Sequence, residues 1–437
     1  MLPLLLPAVA IAPFVAALAV PAVARMRRAP GLLMLVLSTA TFAWLLAQWP
    51  DLVDQRIVEW SADWVGDLGW TVALRLDGLS HLFALLITGI GALVAWYGLG
   101  YLGGDERSAR FFFSLLLFQG GMLLAVLADD LVLLYVGWEV TSVTSFALIA
   151  FSHGREDARR SALHALLVTT AGGLAMLGGL ILLTVLTGAN RLSALSAEVV
   201  MDLDPVLAGT ALVLIALGAL TKSAQFPFHG WLPGAMSAPT PVSAYLHSAT
   251  MVKLGVYLLA RLQPSMGDLP LWTVLLPVVG GVTMLLGAVL AVRERDLKRV
   301  LAYSTISALG SMVMLAGLGT DAAMKALVVT VVAHACYKAA LFMVAGTIDH
   351  ETGTRDRLAL GGLRGPMPLL AGAAALAAVS MAGLPPGLGF LSKETALAAG
   401  FGDPTRWLVV IAIAVMGALT LVAAWTAGVA PFFDRAR

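Results

Sequence analysis

Five of the six lysines in this 437-residue chain stand inside long apolar runs or at their ends: Lys222, Lys253, Lys325, Lys338 and Lys393. Only Lys298 falls in an obvious loop, whereas nearly all the arginines lie between apolar runs. The division is chemical. Arginine keeps its proton under all ordinary conditions, while lysine shifts its acidity readily and can give a proton up. Two histidines, His247 and His334, and one carboxylate, Glu139, occupy the same apolar surroundings. Ionisable groups inside a membrane are costly and normally face a partner, a cavity or an ion path. Spaced at intervals with water between them, such groups can hand a proton along through small changes in acidity.

Each group has a place. Glu139, in Tyr135-Val-Gly-Trp-Glu-Val, lies eight residues into an apolar run, or about 12 Å deep at the helical rise. That is close to the middle of a hydrocarbon core of about 30 Å. Lys222 is the expected partner of Glu139. A purely structural ion pair would use the same two residues, but apolar residues of similar size would have avoided the desolvation altogether. His247 and Lys253 are six apart on one segment and point to different sides. His334 and Lys338 are four apart and share a helix face. Lys393 follows the string Gly383-Leu-Pro-Pro-Gly-Leu-Gly389 and, as a helical neighbour of Glu394, need not pair with it. Lys325, near Asp321, reads as interfacial. Asp77, Asp129 and Asp130 stand at expected helix starts, where negative charge is favourable, and are candidate points for ions to come in.

These groups need elements that cross a membrane. The chain is 59% hydrophobic and 12% charged, with a mean hydropathy of +0.90, whereas a soluble domain is roughly 25% charged. Its apolar runs are close to 20 residues, the length of a spanning helix. The shorter alternating segments of a barrel are absent. The fold class is therefore an all-α membrane protein. Thirteen apolar segments are expected, at 2–24, 31–49, 78–102, 111–128, 131–151, 162–187, 205–226, 239–262, 271–292, 300–318, 322–347, 367–390 and 405–430. The first lacks a basic leader and is longer than a signal-peptide core, so it reads as a membrane helix. With the N-terminus outside, 17 basic residues fall inside, and Arg56, Arg75, Arg191, Arg261 and Arg406 fall outside. The 17 come from the loops at 25–28, 107–110, 155–160, 293–299 and 355–364, with Arg435 and Arg437. The long outside loop at 50–77 carries Asp51, Asp54, Glu59, Asp63 and Asp67, and its short alternating runs suit a small hairpin.

Segments four to eight and nine to thirteen form two sets of five. Five is odd, so the second set enters the membrane from the opposite side. In each set the fourth segment is interrupted: around Ala224–Pro227, next to Lys222, and at Gly383–Gly389, before Lys393. Interrupted segments at matching places in two halves point to a transport site. The expected division is an N-terminal part at 1–110, a first half-channel bundle at 111–262 and an inverted second bundle at 271–431. Other chemistries lack support. The sequence contains neither a P-loop nor an HEXXH pair. Its single cysteine, Cys336, allows no internal disulfide. Nothing marks a nucleic-acid surface, and no cofactor is expected.

Several long strings carry a resemblance. Trp138-Glu139, Thr221-Lys-Ser-Ala-Gln-Phe-Pro-Phe-His229, Trp231-Leu-Pro, Ala238 to Lys253 and Asp296-Leu-Lys-Arg-Val-Leu-Ala-Tyr-Ser304 resemble the antiporter-like subunits shared by Mrp cation/proton antiporters and respiratory complex I. Ile348-Asp-His-Glu-Thr-Gly-Thr-Arg-Asp356 and a lysine at position 393 look most like the large, A-type Mrp subunit. The resemblance covers essentially the whole chain. It implies two inverted five-helix bundles, each with a half-channel, joined by a hydrophilic axis. It also implies a proton path through Glu139, Lys222, Lys253, His334, Lys338 and Lys393. The implied function is exchange of protons for a monovalent cation, expected to be Na+, across a bacterial inner membrane. The implied partners are the other subunits of a multisubunit complex, including a homologous D-type subunit. The alternative is a proton-pumping subunit of a redox-driven or bicarbonate-uptake complex. The A-type subunit continues through further helices, whereas this sequence stops just past the thirteenth segment. It is therefore expected to be a piece of a longer subunit, or one of two polypeptides that make it up.

Overall fold

The computed structural model describes residues 2–54, 56–65, 70–103, 105–401 and 406–434. Asp67, Arg435 and Arg437 lie outside the described residues. The chain divides into two compact units, one of residues 1–219 with 264–266 and one of 220–263 with 267–437.

The first unit opens with α1 (Leu2–Val23), α2 (Ala29–Ala47) and the short α3 (Trp49–Val53). The expected hairpin follows as β1 (Val58–Val65) and β2 (Trp70–Leu76), antiparallel, with Val58 opposite Leu76 and an irregularity between Asp63 and Val65. Arg75 faces Glu59 across the hairpin and binds it at 2.7 Å. The unit continues with α4 (Gly78–Tyr101), α5 (Ser108–Leu127), α6 (Leu131–Ile149), α7 (Glu156–Thr187), the short α8 (Ala197–Met201) and α9 (Pro205–Lys222), whose last three residues belong to the second unit. Within the first unit α5 packs on α1 and α6, α2 on α4, and α6 on α7.

The second unit begins where α9 ends. Gln225 N–H donates to Leu220 O at 2.9 Å and Ala224 N–H to Thr221 O at 3.2 Å. Together these bonds make a Schellman-type helix end. Ala224 takes its left-handed position, at φ +49°. The helix therefore stops beside Lys222, as expected from the sequence, and the chain proceeds in short turns, including α10 (Trp231–Gly234), as far as Ser237. Next come α11 (Thr240–Ser248), α12 (Met251–Met266), α13 (Pro270–Arg293), α14 (Leu297–Leu318), α15 (Asp321–Thr352), α16 (Pro368–Ala382), α17 (Leu388–Phe401), α18 (Trp407–Ala424) and, after a π-helical turn, α19 (Ala430–Phe433).

Eleven helices among the described residues are long and apolar enough to span a membrane. The other two expected segments are split. The split between α16 and α17 falls where Gly383–Gly389 placed it. The split between α11 and α12 differs from the expectation, because residues 239–262 read as one continuous segment. Thr250 leaves the helical region at φ −123°, ψ −103°, without a proline or glycine at the break. Side chains around the break bind back onto α11: Thr250 Oγ1 donates to Tyr245 O at 2.7 Å, and Ser248 Oγ to Ala244 O.

In the second unit α13 lies close against α14, since a Cβ on Gly280 or Gly310 would meet the facing backbone. Almost every residue of α14 is buried. The 32-residue α15 packs against α11, α14, α16 and α17, so its length is shared among four neighbours. The string Ile348–Asp356 has a structural role. Arg355 binds Asp296 at 3.0 Å and approaches Asp349 at 3.9 Å, fastening the end of α15 to the start of α14.

Candidate functional site: a file of buried cations

His334 and Lys338 lie on the inner face of α15 and are completely buried. The Lys338 ammonium donates to Ser304 Oγ on α14 at 2.6 Å, reaches Leu301 O at 3.5 Å, and stands 5.6 Å from the centre of the Tyr337 ring. No carboxylate holds it among its described contacts. Lys253, also fully buried, donates to Ser248 O and, at 3.0 Å, to Val331 O on α15. The carbonyl of Ser248 is available because α11 stops there. The unforeseen break thus serves as the seat of Lys253. His334 feels the charges of both Lys253 and Lys338. It faces the Ser248 backbone, yet neither ring nitrogen has a hydrogen bond of good geometry. A buried imidazole without a fixed partner is expensive as pure structure.

The file continues to Lys393 on α17. Its ammonium donates to Ala382 O, the last residue of α16, at 2.5 Å and reaches Gly417 O on α18 at 3.4 Å. Carbonyls at a helix C-terminus favour a cation, so the interruption between α16 and α17 creates this seat too. Gly383 caps α16 at φ +73°, and a Cβ there would strike the Lys393 side chain. Lys393, Ser304, Ser311, Thr330, Ser392 and Thr420 line one cavity. Ser304, which also binds Lys338, joins the two lysines through it. Thr330 Oγ1 gives its proton to Ala326 O. Ser392 must then be the donor in the 2.8 Å bond between Ser392 and Thr330.

His247 on α11 is fully buried, with the Trp231 and Phe342 rings 6.1 and 6.4 Å away and no hydrogen-bond partner on either nitrogen among the described residues. Lys298 acts on it electrostatically. Lys298 is the residue that sequence reasoning missed. Its place beside Arg293, Arg295 and Arg299 reads as a loop, but it is buried in the first turn of α14 and donates to Ala238 O at 3.2 Å. Its neighbour Arg299 turns outward to Glu294, at 2.9 Å. A signal is present in the sequence: Lys298 is a lysine among arginines, and every other lysine is set in an apolar run or at its end.

The structure places the remaining candidates as follows. Lys222 is fully buried in the last turn of α9, where the helix dipole suits a cation. Glu139 lies on α6 in the first unit, with its Oε1 buried against Gly173 of α7. Asp77 caps α4 in a reciprocal capping box with Ser80 and also pairs with Arg75 at 3.4 Å. Asp129 accepts from Ser193 N and Oγ at 2.9 and 2.6 Å. Asp130 caps α6 by accepting from Leu133 N at 2.8 Å. Burial pushes the Asp130 carboxyl above the usual carboxylate range, against the backbone N–H bonds and Arg191, which favour its charge. The three aspartates are thus engaged with backbone or neighbouring side chains. Lys325 is exposed. No group of three or more His, Cys, Asp or Glu that could hold a metal ion occurs among the described residues.

This is a polytopic helical membrane protein with two split segments, and Lys253 and Lys393 are seated on carbonyls at the splits; interrupted helices of this kind are a feature of membrane transporters. Comparison with known proteins makes this specific. Residues 128–420 match the family described as NADH:quinone oxidoreductase/Mrp antiporter, TM, and residues 60–112 match that described as NADH-Ubiquinone oxidoreductase (complex I), chain 5 N-terminus. The chain belongs to this family of antiporter and complex I membrane proteins. It is 50% identical over 346 residues to the A/B-type subunit of a probable K(+)/H(+) antiporter of Rhizobium meliloti, covering 79% of this chain and 35% of that one. It is 46% identical over 401 residues to the A-type subunit of the Na(+)/H(+) antiporter of Alkalihalophilus pseudofirmus, covering 88% of this chain and 50% of that one. A chain of the Mrp complex from Dietzia sp. DQ12-45-1b superposes with a TM-score of 0.87 at 41% identity, over 98% of this chain and 47% of that one. The sequence thus spans about half the length of these relatives or less. A chain of an archaeal membrane-bound sulfane sulfur reductase complex shares the fold, with a TM-score of 0.84 at 22% identity.

Proposed function

We propose that the chain is the antiporter-like module of an A-type subunit in a multisubunit Mrp-type antiporter of a bacterial cell membrane, exchanging protons for a monovalent cation, Na+. A homologous D-type subunit is among its proposed partners. The observation that carries this reading is the file Lys253–His334–Lys338–Lys393, seated on carbonyls, hydroxyls and a cavity without a described carboxylate partner. Structural glue would pair each cation with an anion, because an uncompensated buried charge is strongly destabilising. A file that must give its charge up and take it back is better served by neutral acceptors. In this reading each lysine holds a proton on its ammonium and releases it to water in the cavity, and His247 and His334 bridge the gaps. Lys298 joins the file beside His247. Glu139 and Lys222 are proposed as the switching groups, and the two five-helix bundles as half-channels.

The test is exchange in vesicles that carry the assembled complex. Glu139→Ala and Lys222→Ala are expected to abolish exchange, and wild-type rates in either would sink the mechanism. A double-mutant cycle asks whether the two act as a pair. The shared fold of the sulfane sulfur reductase complex supports a second reading, a proton-pumping subunit driven by redox chemistry. Exchange that needs Na+ or K+ but no quinone, ferredoxin or bicarbonate supports the first reading over the second.

A further inference from the structure

Helix interiors disfavour glycine, which costs about 1 kcal/mol relative to alanine. Gly173 lies in the middle of the 32-residue α7 and is buried against α6. A Cβ built there would collide with Glu139 Oε1 and would stand 3.3 Å from Glu139 Cδ and 3.4 Å from Trp138 Cδ1. Gly178, five residues on in the same helix, has nothing within 4 Å of such a Cβ. Gly178 is exposed, whereas a Cβ on the buried Gly179 would meet Ile215 and the backbone of α9; what distinguishes Gly173 is that the group it admits is a carboxylate and not a facing backbone.

We propose that Gly173 is a positioning residue for Glu139: the missing side chain forms the recess in α7 that receives the Glu139 carboxylate. The inference rests on the reading of Glu139 as a transport group. A methyl group at 173 fills the recess. Glu139 must then change rotamer or α6 must shift. Displacing a group at a transfer site lowers rates steeply, since about 1 Å can cost about 100-fold. A helix effect would work in the opposite direction, because alanine is the better helix former.

The experiment uses the assembled complex carrying the full-length subunit, with the variants Gly173→Ala, Glu139→Ala, Glu139→Asp, Gly178→Ala and the doubles of Gly173→Ala with each Glu139 change. Exchange in vesicles and the melting temperature of the purified complex are both read. Gly173→Ala is expected to lose at least about tenfold in exchange rate and to lower the melting temperature, while Gly178→Ala does neither. With Glu139→Ala already present the recess is empty, and Gly173→Ala leaves the melting temperature unchanged or raised. Glu139→Asp, one methylene shorter, restores part of the exchange lost in Gly173→Ala. An equal fall in melting temperature with and without the Glu139 side chain overturns the proposal, as does a Gly173→Ala complex with wild-type exchange or a double with aspartate no better than Gly173→Ala alone. If Glu139→Ala itself exchanges normally, the functional reading of Glu139 fails, and the melting temperatures still decide whether Gly173 makes its recess.

Discussion

At the scale of single residues, the types were legible and their partners were not. The confinement of lysine to apolar runs marked Lys222, Lys253, Lys338 and Lys393, and all four are buried to a large degree or completely. What seats them is backbone: Ser248 O and Val331 O for Lys253, Ala382 O for Lys393. Carbonyl acceptors leave no mark in a sequence, because every residue has one. Lys298 escapes a sequence reading for a related reason. Neighbouring helical positions differ by about 100° in direction, so one basic residue of a run can turn inward while the next faces solvent. Ser304 enters the proposed path only through the structure. Its hydroxyl binds Lys338 and lines the cavity shared with Lys393. Ser304→Ala is expected to slow exchange by about tenfold or more while the complex still assembles, as for a positioned proton-transfer partner. Rates measured on vesicles with matched amounts of complex check this, and an unchanged rate removes Ser304 from the path.

At the scale of elements, the two interruptions were visible to different degrees. Gly383-Leu-Pro-Pro-Gly advertises a stop, since glycine takes the left-handed cap and proline cannot continue a helix. The break at Ala249–Thr250 uses Ser248, Thr250 and Lys253 instead, residues that are equally at home in an unbroken helix, so periodicity runs straight through it. Gly383→Ala tests the first interruption. The methyl group strains a backbone at φ +73° by about 1–2 kcal/mol and also collides with Lys393. The expected result is a complex with lowered melting temperature and exchange reduced beyond what the stability loss explains. Asp130 tests whether a helix start also admits ions. Asp130→Ala loses the cap and is expected to cost about 1 kcal/mol, whereas Asp130→Asn keeps it and costs little. Thermal unfolding in detergent reads the cap, and exchange reads the charge. Transport retained in Asp130→Asn assigns the residue to capping, and transport lost at unchanged stability assigns it to the ion path.

At the scale of the whole molecule, hydropathy and the placing of arginine determine an all-helical membrane class, because apolar length is a property of composition that tertiary packing does not override. The hairpin at 58–76 was legible from its alternation, while the Glu59–Arg75 pair across it emerged only with the strand register. The central place of α15 could not be read, since it comes from packing between segments far apart in sequence. Under the proposed function that central place matters. One long uninterrupted helix carries His334 and Lys338 past α11, whose broken end seats Lys253, and past α16 and α17, whose break seats Lys393. The proposed proton file depends on Lys338 in its middle. The direct measurement is cation/proton exchange by the assembled complex in vesicles with Lys338→Ala, set against Lys325→Ala on the same helix at an exposed position. Loss of exchange by about 100-fold in Lys338→Ala, with Lys325→Ala indistinguishable from wild type, is the predicted result. Wild-type exchange without the Lys338 ammonium would contradict the proton file.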